Sequence, residues 1–285
     1  MRSRCPSRPA AHGRSLRLRR LLCGLALLAG LVANSARPQA RLTITGSTSM
    51  TPFVEQLAEH YQRDHPGTSV DVQGLGSSAG IRAAAEGVSE LGMSSRALDE
   101  EEAAQLVQAL MARDALAVIV HPTNPVQQLT REQILGVFTG AITAWDALGG
   151  PPRPIVVASR EVGSGTFSAF EELVLQRASI TPAALRQGSN GAIRQIVADD
   201  SDAIGDISLG IGDQSVRGVA IDGVPPSVAE VEAGAYRLMR PFLIVWRKGH
   251  TLSPLAASFL DYVLGPEGQA ELARAGLVPG GKVLP

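Results

Sequence analysis

Along this 285-residue chain, short apolar runs alternate with stretches of helical period. Leu42 to Thr45, Ser69 to Val72, Ala115 to Val120, Ile155 to Ala158, Val219 to Ile221 and Phe242 to Trp246 read as buried strands. Between them, Pro52 to Arg63, Ile81 to Gly87, Glu100 to Leu110, Arg131 to Thr139, Phe167 to Arg177, Gly191 to Ala198 and Pro254 to Ala275 read as helices. Thr51-Pro52 and Thr130 before Arg131-Glu132-Gln133 mark helix starts. Gly265-Pro266 should split the last helix at Leu264, because proline removes a donor and restricts the residue before it. The alternation predicts an α/β chain with a mostly parallel sheet. No low-complexity linker interrupts it, so any passage between two lobes should be an extended strand, with Ala115 to Pro122 and Arg240 to Gly249 as the candidates.

The N-terminus departs from this pattern. Residues 1–35 hold seven arginines and no acid, and the apolar run Leu21 to Ala33 is short of the ~20 residues a membrane span needs. This reads as a secretory signal peptide, cleaved between residues 35 and 40, and predicts a periplasmic protein. Both cysteines, Cys5 and Cys23, fall in the leader, so the exported chain should have no disulfide. Its loss leaves 19 basic against 27 acidic residues, a charge of −8. Such a balance excludes a nucleic-acid or anionic-membrane footprint, so any affinity for an anion must come from local dipoles and single side chains.

The chemistry concentrates in repeated turns. SREVGSGTFSAF, Ser159 to Phe170, joins a strand to a helix through an arginine and a Gly-Ser-Gly-Thr turn. It brings backbone N–H groups, hydroxyls and a guanidinium to one helix N-terminus, which suits a compact oxyanion. LTITGSTSMTPF, Leu42 to Phe53, repeats the arrangement at the same spacing, with Gly46, Ser47, Ser49 and Phe53 matching Gly163, Ser164, Thr166 and Phe170. VDVQGLGSSAGI, Val70 to Ile81, is a third version, and LGMSSRAL, Leu91 to Leu98, a fourth candidate. Each turn alone would serve as a helix cap; three together can surround a tetrahedral anion. Catalytic alternatives lack their parts: Ser164 misses the Gly-x-Ser-x-Gly frame, the five histidines have no metal-ligand spacing, and the two lysines, Lys248 and Lys282, lie outside any glycine-rich turn.

These segments, with Leu129 to Gly150, SNGAI at Ser189 to Ile193, DAIGDISLG at Asp202 to Gly210 and FLDYVLGPEGQ at Phe259 to Gln269, resemble the phosphate-binding periplasmic proteins of ABC-type phosphate importers. The resemblance implies the two-lobed type II periplasmic binding-protein fold, each lobe a mixed sheet flanked by helices, with two hinge strands. Lobe one would comprise residues 41–118 and 243–285, and lobe two residues 119–242. It further implies a monomeric, cofactor-free, metal-free and non-enzymatic receptor that hands a phosphate ion to a membrane permease and ATPase. Sulfate or another oxyanion, or a phosphatase or signalling role on the same fold, remain the alternatives.

Position by position, the resemblance assigns Ser47, Thr48 and Ser49, with Ser77, Ser78 and Ser95, to one lobe, and Arg160, Ser164, Gly165 and Thr166 to the other. Many family members carry a carboxylate at the positions of Ser95 and Val162, where it accepts a hydrogen bond from protonated phosphate and opposes sulfate. Neither carboxylate is present here. Glu161 should face away from Arg160 by strand alternation.

Overall fold

In the computed structural model, residues 40–284 are described; the expected leader and both cysteines lie outside them. The first half opens with β1 (Ala40–Gly46), α1 (Thr51–Asp64), β2 (Thr68–Gly74), α2 (Ser77–Glu86), β3 (Leu91–Ser94), α3 (Glu100–Gln105) and the 15-residue β4 (Leu106–Val120). There follow β5 (Gln128–Leu129), α4 (Arg131–Thr139), β6 (Val156–Arg160), α5 (Gly165–Leu173), β7 (Leu185–Gln187), α6 (Asn190–Asp199) and β8 (Ala203–Ser208). The chain ends with β9 (Arg217–Gly218), β10 (Ala220–Ile221), α7 (Val228–Glu232), β11 (Met239–Arg247), α8 (Pro254–Leu264), α9 (Pro266–Arg274) and β12 (Val278–Leu284).

One ten-stranded sheet runs in the order β2-β1-β3-β11-β4-β8-β6-β7, with β9 and β12 also on β4. β4 serves both halves. Leu106 to Ala115 pair antiparallel with β11, and Leu116 to Val120 pair antiparallel with β8. The core divides in the same way. Phe53, Leu57, Tyr61, Phe242 and Phe259 fill one cluster, and Phe138, Trp145, Phe170 and Ile204 another.

Two expectations change. The helix predicted from Glu100 to Leu110 stops at Gln105, because Leu106 to Ala112 gain ladder partners in β11 and β12, a tertiary contact that outweighs helix propensity. The sheet is mixed rather than mostly parallel: β1, β2 and β3 are mutually parallel, as are β6, β7 and β8, but β11 runs against β3, β4 against β8, and β4 and β11 against each other. The helix break stands at Gly265, where α8 ends and Pro266 opens α9.

Candidate functional site

Gly46, Gly76 and Gly163 hold the three turns. Gly46 has φ +148, and a Cβ there would come within 2.2 Å of the Met93 carbonyl oxygen, so the first turn can lie against β3 only as glycine. Gly76 and Gly163 also take positive φ, and the N–H of Ser78 donates to the Gly163 carbonyl at 3.1 Å, joining the second turn to the third.

The turns differ in how their hydroxyls are used. Ser164 is a true cap: its Oγ accepts from the N–H groups of Thr166 and Phe167 at the start of α5. α1 and α2 follow Met50 and Gly76, with no side-chain cap at either. The serines of those turns bond one another instead. Ser47 donates to Ser95 at 2.8 Å, Ser47 and Ser49 lie 2.9 Å apart, and Ser77 and Ser95 lie 3.3 Å apart. The buried hydroxyls of Ser47, Ser49, Ser77 and Ser95 therefore form one chain from the first turn through β3 to α2. Gly165 faces it so closely that a Cβ would stand 2.3 Å from Ser77 Oγ and 2.4 Å from Ser95 Oγ.

Arg160, 1% exposed, spans the two halves. Its Nη1 donates to Thr48 Oγ1 at 2.8 Å, Nε to the Gln187 carbonyl at 3.0 Å and Nη2 to the Gly188 carbonyl at 2.9 Å. Glu161 departs from the expectation of strand alternation. β6 ends at Arg160, and beyond it the turn lets the Glu161 carboxylate swing back onto Nη2 at 2.8 Å and Nε at 3.3 Å. A rigid guanidinium with fixed acceptors on two edges and a hydroxyl on the third is preorganised for an anion.

Of the residues assigned from sequence, Ser47, Thr48, Ser49, Ser77, Ser95, Arg160, Gly165 and Thr166 meet through these contacts. Ser164 takes the capping role, and half-buried Ser78 joins through its backbone N–H, with its side chain beside Gly163 of the third turn. The adjacent Arg96 turns out of the site into a bidentate pair with Glu102 at 2.7 Å, within the Asp99 capping box of α3.

Three participants escaped the sequence reading. Arg240, at the start of β11, donates through Nη1 to Thr166 Oγ1 at 2.9 Å and to Ser95 Oγ at 3.4 Å. Its Nε and Nη2 hold Asp114 Oδ2 at 2.9 and 2.8 Å, and Ser208 Oγ donates to Asp114 Oδ1 at 2.8 Å. Burial pushes the Asp114 carboxyl up and the Arg240 guanidinium down from their ordinary values, with the charge of each opposing the shift of the other. Asn190, at the start of α6, donates to Thr166 Oγ1 at 3.2 Å and accepts from the Ser208 N–H. A signal was available: Asp114 and Arg240 each open an apolar strand run, and charges there are buried only when paired.

No group of His, Cys, Asp and Glu among the described residues has metal-binding geometry. None of the hydroxyls of Ser47, Ser49, Ser77 and Ser95 donates to a carboxylate or an imidazole, so this row offers donors beside positive charge without an activated nucleophile.

A family model described as a PBP superfamily domain matches residues 32–267. The phosphate-binding protein PstS of Bacillus subtilis is 31% identical over 244 residues, covering 84% of this chain and 80% of that protein. A crystal structure of a putative phosphate ABC transporter substrate-binding protein from Clostridium perfringens, with bound phosphate, is 42% identical, covers 84% of this chain and 99% of that one, and superposes with a TM-score of 0.80. An ABC-type phosphate transport receptor from Vibrio cholerae is 36% identical over 83% of this chain and 99% of its own, with a TM-score of 0.69. With its mixed sheet, paired cores and convergent glycine-serine turns, the chain belongs to the PBP superfamily, in the family of the PstS phosphate-binding proteins and with their type II periplasmic binding-protein fold.

Proposed function

We propose that this protein is an extracytoplasmic receptor that binds inorganic phosphate and delivers it to the permease and ATPase of an ABC importer. The observation that carries the reading is Arg160, a buried guanidinium held by two backbone carbonyls and Glu161 while its Nη1 reaches Thr48 on the opposite turn. Four buried hydroxyls of the first half form a connected row whose Ser95 meets Arg240, and the uncapped start of α2 adds backbone donors. A tetrahedral oxyanion needs donors from several directions, and these turns supply them. Residues 41–118 with 243–285 and residues 119–242 would act as the two lobes, moving about the crossing near Ala115 and Met239, where β4 and β11 pass between the halves.

Titration calorimetry of protein purified after expression of the full chain, stripped of carried ligand, tests the reading. Phosphate should bind with measurable heat, and Arg160→Ala and Thr166→Val should each weaken binding by ~1.5–3 kcal/mol, the scale of a lost charge-assisted or buried hydrogen bond. No heat with phosphate or sulfate sinks the proposal, and unchanged affinity in both variants moves the site elsewhere.

A further inference from the structure

One buried carboxylate near the site takes no part in the contacts above. Asp206 lies on β8, whose register against β6 pairs Ala158 with Gly205 and so places Ser159 beside Asp206. Ser159 in turn pairs with Arg186 of β7. Asp206 is 0% exposed, and neither of its oxygens accepts a hydrogen bond from a described residue. The equally buried Ser159 hydroxyl lies against it without reaching hydrogen-bond geometry.

Two of the three charges acting on Asp206, Arg160 and Arg240, belong to the anion site. Arg160 of β6, Arg186 of β7 and Arg240 of β11 attract it. Asp114 of β4 is occupied by Arg240 and Ser208, Val118 is its neighbour in β4, and the first turn of α5 carries no acidic group. Burial is the larger effect, pushing the carboxyl from its ordinary 3.8 up to about 6 despite the three arginines. A bound oxyanion would draw on Arg160 and Arg240 as well, so two negative groups would compete for the same cations. Like charges in one low-dielectric site do not both stay fully ionised; a proton is taken up between them.

We propose that Asp206 is a specificity-determining residue of the anion site: the pocket accepts an oxyanion together with one proton, carried either by the anion or by Asp206. This rests on the receptor reading above. A singly protonated or readily protonated anion such as phosphate brings or gains that proton itself. Fully ionised sulfate does not, so its capture requires Asp206 to take a proton from solvent, and release of the anion returns it. The sign follows: binding raises the carboxyl pKa above its free value of about 6, so anion affinity falls as pH rises above that value. The carboxylate missing at Ser95 and Val162 thus has a counterpart acting from beneath the turn.

The test is calorimetry with phosphate and with sulfate at about pH 6 and about pH 8, each in two buffers of different ionisation enthalpy, on wild type and Asp206→Asn. Wild type should take up on the order of one proton per sulfate at the higher pH and lose up to about tenfold in sulfate affinity per pH unit. Asp206→Asn should abolish the sulfate-linked uptake, flatten the sulfate pH profile and bind phosphate about tenfold tighter at the higher pH, since a nearby negative charge is gone. The Ser159 hydroxyl is the neighbour that interacts with Asp206, and the Asn side-chain carbonyl keeps an acceptor for it, so the amide removes the charge and little else. If sulfate does not bind, phosphate decides: equal or weaker affinity in Asp206→Asn overturns the proposal. Should that variant fail to fold, wild-type sulfate binding at the higher pH without proton uptake overturns it as well. Absence of binding by both anions instead removes the receptor reading, and this inference with it.

Discussion

Asp114→Ala isolates the energetics beneath the site. The substitution takes from Arg240 its one hydrogen-bonded carboxylate among the described residues, so Nε and Nη2 lose acceptors at 2.9 and 2.8 Å, and Ser208 Oγ loses its acceptor at 2.8 Å. Arg240 is 3% exposed, so water cannot replace the lost partner without opening the structure. An uncompensated buried charge of this kind costs ~3–5 kcal/mol, a large part of the ~5–15 kcal/mol that typically holds a domain folded. With slopes of ~1–3 kcal/mol per molar urea, the unfolding midpoint should fall by at least about 1 M. The control is Asp114→Leu combined with Arg240→Met, which replaces the ion pair by apolar groups of similar size. It should recover most of the stability, because the desolvation cost disappears with both charges. It should not recover phosphate affinity, because Thr166 Oγ1 and Ser95 Oγ have lost the Arg240 donor. A loss below ~1 kcal/mol in Asp114→Ala, or a double variant no more stable than the single one, would refute the assignment of this pair as buried and coupled.

Gly165→Ala places a Cβ 2.3 Å from Ser77 Oγ and 2.4 Å from Ser95 Oγ, so phosphate affinity should drop at least about tenfold in calorimetry, with a smaller change in melting temperature than Asp114→Ala. Ser164→Ala removes the α5 cap, and chemical denaturation should report a loss of ~1 kcal/mol. The Asp206 carboxyl, raised from 3.8 to about 6, favours folding below the unfolded value, and that contribution disappears as pH rises through the folded one. Asp206→Asn should therefore be more stable than wild type above about pH 6, by up to ~3 kcal/mol, and the difference should vanish near pH 4 in urea titrations.

Much of this protein could be read from local pattern. Arg131 to Thr139 is helical as its Thr130 cap and helical period require, and Gly265-Pro266 ends one helix and begins another. The matched turns were legible for the same reason, since Gly46, Gly163 and their hydroxyl neighbours are set by short-range conformational needs. The helix expected to reach Leu110 marks the limit, because Leu106 to Ala112 take their state from strands more than a hundred residues away.

The sequence by itself determined the alternation of strands and helices, the three glycine-serine turns and the acidic balance of the chain. Tertiary structure decided which hydroxyls cap and which join the buried chain, and turned Glu161 back onto Arg160. It also brought Asn190 and Arg240 to Thr166, set Asp114 behind Arg240, and left Asp206 buried nearby without a hydrogen-bond partner. The division is physical. Caps and turns are settled within a few residues, whereas the pairing of a buried charge depends on whatever the sheet register places against it.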